Sequence, residues 1–260
     1  MHALELKKKW QSGEPSPGMW VRYTDPTIIE SIASLMFDWI VIDAEHSAID
    51  LQTLQTMFFA LKGTPTLPFV RIPGHDHFFI KRLLDAGAAG IIVPHINSVE
   101  DARYVISACK YPPQGIRGAG PRRPSDYGRT QREYFDNANQ ATFVMLMIET
   151  VGAVEDFDKI LALEGLDGLI FGLGDLSMSM GLRGDQSHTE VNKIVSYMMT
   201  KARAAGVAFG GYGPVVVADP SEWIELGVQI IGISDDQKSV MENAAAAMER
   251  FKSVMAARKE

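Results

Sequence analysis

The chain has 260 residues, 46% hydrophobic and 22% charged, which is an ordinary balance for a globular protein. The formal net charge is -7 and no dense basic run occurs, so we expect no nucleic-acid partner. No window approaches 18 consecutive apolar residues, and we therefore expect no membrane span. The single cysteine, Cys109, excludes an intrachain disulfide, and no apolar stretch follows the N-terminal lysines as in a secretory signal. These features favour a cytoplasmic protein.

Short apolar runs recur along the whole chain, and each is followed by a helix-like stretch. The runs are continuously apolar, which is typical of parallel strands buried on both faces. The eight candidate strands are Gly18–Val21, Trp39–Ile42, Phe69–Val70, Ile91–Val93, Phe143–Ile148, Leu169–Phe171, Val207–Phe209 and Ile230–Ile233.

Capping residues mark several of the intervening helices. Asp25 is placed to cap a helix that begins at Pro26, and Ser98 is placed to cap a helix over Val99–Cys109. A third helix is predicted over Pro220–Leu226, where Gly227 would end it.

Eight β-then-α units predict a (β/α)₈ barrel. An open doubly wound sheet is the alternative, but no Gly-x-Gly-x-x-Gly turn follows the first strand. No linker divides the chain, so residues 1–260 are predicted to form a single domain. The segment Tyr111–Gln140 is predicted to be a long functional loop. The last segment, Gln237–Lys259, is predicted to be an extra C-terminal helix that covers the barrel or packs on a neighbouring subunit.

Two carboxylates stand where predicted strands end, at the face that carries the active site in such barrels. Glu149 ends the fifth strand, and Asp175 follows the sixth by a short glycine turn. Carboxylates suit a hard divalent cation such as Mg²⁺ or Mn²⁺. The alternatives are an ion pair to an arginine for Glu149 and a helix N-cap for Asp175.

A histidine and an arginine stand at two other strand ends. His46 lies close to carboxylates and could act as a general base, or it could be a hydrogen-bonded structural histidine. Arg71 could stabilise an enolate or carboxylate oxygen, or it could be the structural partner of Asp43 or Glu149.

Several segments together resemble the HpcH/HpaI aldolases, which are class II (metal-dependent) aldolases of 2-keto acids. The resemblance runs over nearly the whole chain. The segments that carry it are Phe37–His46, Phe69–Arg71, Ile80–Gly87, Tyr111–Gly118, Ile148–Thr150 and Gly172–Ser177.

The resemblance implies a metal-binding role for Glu149 and Asp175, with Mg²⁺, Mn²⁺ or Co²⁺ as the cofactor. It also implies that a pyruvate-type 2-keto acid binds beside the metal, near Gly174 and Asp175. Met147 occupies a substrate-side position where this family commonly has glutamine. The implied reaction is the cleavage or formation of 4-hydroxy-2-keto acids through a metal-bound pyruvate enolate, with an aldehyde as the second partner.

Three catalytic roles follow from the same resemblance. Arg71 would lie against the keto oxygen, and His46, oriented by Asp43, would serve the proton transfers. The resemblance further implies a hexamer, a trimer of dimers with exchanged C-terminal helices, in which Asp85 completes a neighbour's site. Two other functions stay open at this point, namely a 2-keto acid decarboxylase or related enolate-using lyase, and a non-catalytic keto-acid-binding barrel.

Overall fold

The eight predicted strands form a closed barrel in the computed structural model, which describes residues 3–212 and 220–258. Each strand pairs in parallel with the next, and the last pairs with the first. The strands are β1 (Ser16–Val21), β2 (Trp39–Asp43), β3 (Leu67–Arg71), β4 (Gly90–Val93), β5 (Phe143–Ile148), β6 (Gly168–Phe171), β7 (Ala208–Tyr212) and β8 (Ile230–Asp235). The barrel prediction is confirmed, and the open doubly wound sheet is wrong.

Helices surround this barrel and follow the strands in chain order. Over the described residues they are α1 (Ala3–Gln11), α2 (Pro26–Ala33), α3 (Leu51–Ala60), α4 (His77–Ala86), α5 (Val99–Cys109), α6 (Gln131–Ala141), α7 (Val151–Glu155), α8 (Phe157–Leu161), α9 (Leu173–Ser179), α10 (Thr189–Ala205), α11 (Ser221–Glu225) and α12 (Asp236–Ala257). A single-domain organisation for residues 1–260 stays a prediction.

The predicted caps are confirmed at the two helices where they were named. The Asp25 side chain accepts a hydrogen bond from the Thr27 N–H with Pro26 in the first turn, and the Ser98 side chain accepts one from the Asp101 N–H. The helix predicted over Pro220–Leu226 is α11, and Gly227 follows it with φ +71°. Side-chain caps are local interactions, and the sequence pattern therefore predicted them well.

The prediction of one long loop over Tyr111–Gln140 is wrong in its second half. A 3₁₀ helix occupies Arg123–Gly128, and α6 begins at Gln131. Ala138 is the one buried residue of α6, so this helix has no apolar stripe from which it could be recognised.

Residue alternation along each strand divides the core into two layers. In β2, Trp39 and Val41 pack inside the barrel, whereas Ile40 and Ile42 pack outward against the helices. Because strand side chains alternate in direction, the inward series continues to Asp43 at the strand end. The same alternation leads from Met145 and Met147 to a polar group at the end of β5. The inward-facing series of residues in these strands therefore places charged side chains at the mouth of the barrel.

The opposite end of the barrel is closed by α1, which the sequence patterns had not indicated. Leu6 and Trp10 of this helix belong to the interior cluster of the barrel. The Trp10 ring lies 5.0 Å from that of Phe143, and its indole N–H donates to the Ser16 hydroxyl at 2.7 Å. The interior is therefore filled from below and open only at the strand ends.

The final helix, α12, is anchored at its start and exposed along the rest of its length. The Asp235 carboxylate accepts from the Lys238 N–H, and the Asp236 carboxylate accepts from the main-chain N–H groups of Arg22 and Tyr23. From Val240 to Arg258 every residue is exposed. The predicted C-terminal helix is thus present; its predicted end, Lys259, lies outside the described residues.

None of the helices in the described part of the chain is long and apolar enough to cross a bilayer.

The plug formed by α1 leads to a stability prediction. Leu6→Ala removes a fully buried side chain from the barrel floor and should lower the free energy of unfolding by about 2–5 kcal/mol. The exposed Gln11→Ala change on the same helix should stay within about 0.5 kcal/mol of the parent. Urea unfolding measures both. Equal stabilities for the two variants would show that α1 does not support the barrel.

Candidate active site

A buried ion-pair cluster lies at the ends of β2 and β3. Arg71 donates from Nε to Asp43 Oδ1 at 2.9 Å and from Nη2 to Asp43 Oδ2 at 2.5 Å. Arg71 Nε also lies 3.2 Å from Glu45 Oε2. Among the described residues no partner engages Arg71 Nη1. Two carboxylates therefore fix the guanidinium while one of its nitrogens is left for a ligand.

The Asp43 carboxylate is held in its charged form. Burial by itself would raise the pKa of Asp43, but hydrogen bonds and charge from Arg71 outweigh burial and lower this pKa. The main-chain N–H of His46 and the charge of Arg22 act in the same direction. Arg22 directly follows β1 and reaches Asp43 Oδ2 from Nε at 3.2 Å; it also pairs with Asp235. Asp43 is thus a fixed anion between two arginines.

Glu149 is buried at the end of β5 without a cation beside it. The residue is 2% exposed, and its Oε1 accepts from the main-chain N–H of His95 at 2.7 Å. Burial raises the pKa of the Glu149 carboxyl; the hydrogen bond from His95 opposes this shift, while the negative charges of Asp175 and Glu45 add to it. Among the described residues no arginine or lysine forms an ion pair with Glu149. The alternative role as an arginine partner is therefore not seen.

The other oxygen of Glu149 lies against a glycine. A Cβ added to Gly172 would sit 2.4 Å from Glu149 Oε2, so the absence of a side chain at this position gives the carboxylate its room. Gly172 is also the N-cap of α9, the helix that carries Asp175 in its first turn. Glu149 Oε2 therefore lies against the start of the helix that carries the second carboxylate.

Asp175 is exposed at the mouth of the barrel. The helix N-cap is Gly172, so the expectation that Asp175 could be an N-cap is wrong. No hydrogen bond or ion pair engages its carboxylate within residues 3–212 and 220–258. Both oxygens of Asp175 are therefore available to a ligand.

These two carboxylates fit a divalent cation. Glu149 and Asp175 repel each other, and no described residue donates a hydrogen bond to Glu149 Oε2. Carboxylate oxygens are the ligands that Mg²⁺ and Mn²⁺ prefer. In the described part of the chain no three or more His, Cys, Asp or Glu side chains group in a metal-binding arrangement. The protein's share of a metal site here would be a pair of carboxylates, with the other positions left to water or substrate oxygens.

A cavity of about 320 Å³ opens beside Asp175; Glu149 does not line it but lies against Gly172, which does. Arg71, Met147, Gly174 and Asp175, four of the residues predicted to bind substrate or metal, line it together. The rest of its lining combines aromatic and apolar side chains with a few polar groups: Trp20, Arg22, Ile170, Phe171, Gly172, Leu173, Gln186, Gly211, Tyr212 and Trp223. A small carboxylic acid would fit this volume, with cationic and anionic side chains on its walls.

The HpcH/HpaI aldolase/citrate lyase family model matches residues 17–243. The chain belongs to this family. It is 33% identical over 219 residues to 5-keto-4-deoxy-D-glucarate aldolase of Escherichia coli, covering 84% of this chain and 85% of that protein.

Solved structures agree. An HpcH/HpaI aldolase/citrate lyase family protein from Burkholderia cenocepacia J2315 is 28% identical, with a TM-score of 0.89 over 95% of this chain and 99% of that one. The HpcH/HpaI aldolase from Desulfitobacterium hafniense DCB-2 is 31% identical, with a TM-score of 0.86 over 95% and 96%. The chain is thus an aldolase, a carbon–carbon lyase, and its family uses a divalent metal ion.

His46 does not have the environment that the family resemblance implied. Its ring is 60% exposed and lies 3.7 Å from Glu45 Oε2, whereas Asp43 reaches only its main-chain N–H, at 3.3 Å. The expectation that Asp43 orients the His46 ring is therefore corrected, because the oxygens of Asp43 accept from arginines and from main-chain N–H groups instead of from the ring. The catalytic role of His46 itself stays a prediction.

Asp85 was predicted to act across a subunit boundary. It lies near the end of α4, and its ion pair in this structure is with a residue of its own chain. Its Oδ1 accepts from Arg117 Nη2 at 2.8 Å, and the same nitrogen donates to the Tyr134 hydroxyl at 3.0 Å. Asp85 does not line the 320 Å³ cavity. Its cross-subunit role stays a prediction.

Three members of the site had received no role from the sequence. Arg22 directly follows β1, at a position similar to that of Arg71 at the end of β3. Glu45 lies two residues past the end of β2, and His95 lies two residues past the end of β4. Their positions at strand ends were the sequence feature that could have indicated a role in the site. This feature did not distinguish them, because neighbouring histidines and carboxylates stand at the same strand ends.

The close approach of Gly172 to Glu149 leads to a second prediction. Gly172→Ala should push the carboxylate out of place and weaken Mn²⁺ binding about tenfold or more, as changes beside metal ligands do. Gly74→Ala is the matched control, since its Cβ would meet nothing within 4 Å. Titration of free Mn²⁺ by electron paramagnetic resonance measures both. Parent-like affinity in Gly172→Ala would contradict the assignment of Glu149.

Proposed function

We propose that this aldolase cleaves and forms 4-hydroxy-2-keto acids, with a pyruvate-type 2-keto acid as one product and an aldehyde as the other. The supporting observation is that Glu149 and Asp175 have no arginine or lysine partner among the described residues, and that Asp175 and Arg71 line one cavity. A negative charge that develops on a keto acid would meet a bound cation on one side and an arginine on the other.

Glu149 and Asp175 would hold the divalent ion, which we propose to be Mg²⁺, Mn²⁺ or Co²⁺. Such an ion, when bound, supplies Lewis-acid stabilisation of the negative charge on the substrate's keto oxygen. Burial of Glu149 and the charge of Asp175 favour cation binding, because a cation relieves both the desolvation and the repulsion.

Arg71 would orient the keto acid. Its guanidinium is fixed by Asp43 and Glu45, so it need not be ordered when the substrate arrives, and Nη1 is free for the substrate oxygen. Gly174 lines the cavity with main chain, and a Cβ there would come 3.4 Å from Gln186 Nε2. The missing side chain leaves space for the substrate carboxylate. Met147 gives the cavity an apolar wall.

His46 would carry the protons. In the cleavage direction the C4 hydroxyl loses a proton, the C3–C4 bond breaks and its electron pair passes to C3 to form the enolate, and the aldehyde leaves. The enolate is then protonated at C3 to give the 2-keto acid. An exposed imidazole beside Glu45 can accept the first proton and return it, because a neutral imidazole has one ring nitrogen free to take up a proton.

The proposal extends to assembly and location. From Val240 onward α12 exposes apolar side chains including Met241, Met248, Phe251 and Val254. An apolar face of this extent favours burial against other subunits, in a homo-oligomer that we place as a hexamer, a trimer of dimers. Cys109 is a buried free thiol, which suits the cytoplasm.

Removing either metal-binding carboxylate tests the proposal. Glu149→Gln and Asp175→Asn should each lower kcat/KM for aldol formation from pyruvate and a small aldehyde by at least about 100-fold, because charge stabilisation by a metal is worth several kcal/mol. EDTA should abolish parent activity, and Mn²⁺ should restore it. The matched control is Glu155→Gln, an exposed carboxylate on α7.

The same assay separates the other functions. Release of CO₂ from oxaloacetate without aldol formation would identify a decarboxylase. Stable metal and pyruvate binding without turnover would identify a non-catalytic barrel. Full activity of Glu149→Gln, or activity indifferent to EDTA, would contradict the metal site itself.

A further inference from the structure

His95 follows β4 with an unusual main-chain conformation. Its φ is +55°, in the left-handed region that residues with a Cβ rarely adopt. Such a conformation persists where surrounding contacts enforce it, and it is concentrated at functional sites. The main chain is held on both sides, since Asn97 Nδ2 donates to the His95 carbonyl and the His75 ring lies 2.9 Å from the Pro94 carbonyl.

This conformation directs the His95 N–H at the metal-site carboxylate. The N–H donates to Glu149 Oε1 at 2.7 Å, which leaves Oε2 turned to Gly172 at the start of α9. Because α9 carries Asp175 in its first turn, the hydrogen bond selects which oxygen of Glu149 is presented toward the second carboxylate. A rotated Glu149 would present neither oxygen in the same place.

The His95 ring connects the same residue to Arg71. Nε2 lies 3.2 Å from Glu45 Oε1, and the other oxygen of Glu45 lies 3.2 Å from Arg71 Nε. Glu45 is 9% exposed at its side chain, so its position is set by these neighbours. The ring Nδ1 is 3.8 Å from Glu149 Oε1, too far for a hydrogen bond. The nearest carboxylate oxygen to the ring is that of Glu45, whereas Glu149 is hydrogen-bonded by the main chain and is affected by the charge of the ring to a smaller extent.

The ring does not serve to fill the core. Its side chain is 59% exposed, and no apolar cluster of the barrel includes it. Replacing it costs little packing, so an effect at the site would come from the lost contact with Glu45.

We propose that His95 is a positioning residue for the metal site. Its ring, anchored by Glu45, keeps the main chain in the left-handed conformation, and its N–H then holds Glu149 with one oxygen toward Asp175. Through Glu45 the same residue couples the metal-binding carboxylate to Arg71. This inference rests on the metal site proposed above.

The test is the affinity of the full-length protein for Mn²⁺ in the absence of substrate, measured by electron paramagnetic resonance alongside thermal unfolding. His95→Ala should bind Mn²⁺ about tenfold more weakly or worse, with little change in Tm. His95→Gly separates the ring from the main chain: glycine adopts positive φ without help from a side chain, so this variant should keep its N–H on Glu149 and bind Mn²⁺ more tightly than His95→Ala. His95→Gln keeps a donor near the position of Nε2 and should remain within about threefold of the parent.

His77→Ala, a change to a partly exposed histidine at the start of α4, is the control and should leave Mn²⁺ binding unchanged. In turnover, His95→Ala should need more Mn²⁺ than the parent for half-maximal rate. Parent-like Mn²⁺ affinity in His95→Ala would overturn the role of His95 and leave the metal site standing. His95→Gly binding Mn²⁺ no more tightly than His95→Ala would overturn the role of the main-chain conformation. A parent protein that binds no Mn²⁺ would instead overturn the metal site itself.

Discussion

The mouth of this barrel is governed by the need to balance negative charge out of water. A buried carboxylate is tolerated when a cation or several donors face it, and Asp43 has both, from Arg71 and Arg22. Glu149 has one main-chain donor and two carboxylate neighbours, and its pKa rises because burial and repulsion dominate. The same mouth thus contains Asp43, a carboxylate balanced by arginines, and Glu149, a carboxylate with no arginine or lysine partner among the described residues. A divalent cation, which we propose to bind there, would balance the charge of Glu149.

The geometry of the barrel determines where these charged side chains stand. Strand alternation places Trp39 and Val41 inside the barrel and brings Asp43 to the rim on the same side, and β5 does the same through Met147. The helix α1 packs into the floor of the barrel, and the 320 Å³ cavity that Arg71 and Asp175 line lies at the strand ends. Arginine positions are then fixed by carboxylates on the neighbouring strand, and the Arg71–Asp43 pair follows the register of β3 on β2.

Much of the fold and part of the site could be read from the sequence. Continuous apolar runs predicted the eight strands, and polar groups at their ends included Arg71, Glu149 and Asp175. The sequence did not reveal which residue each charged side chain would contact. Asp43 was expected to orient His46, yet arginines take its oxygens. The positive φ of His95 and the missing Cβ of Gly172 are decided by three-dimensional contacts, so no local pattern marked them. Without an apolar stripe, α6 was also hidden.

The position of a bound cation tests the central claim most directly. A crystal of the protein with Mn²⁺ and pyruvate, measured at the manganese absorption edge, gives that position from anomalous scattering. We expect one strong site about 2.0–2.3 Å from an oxygen of Glu149 and an oxygen of Asp175, with pyruvate in the adjoining cavity. An anomalous signal elsewhere, or Glu149 and Asp175 oxygens directed apart with pyruvate bound, would contradict the account.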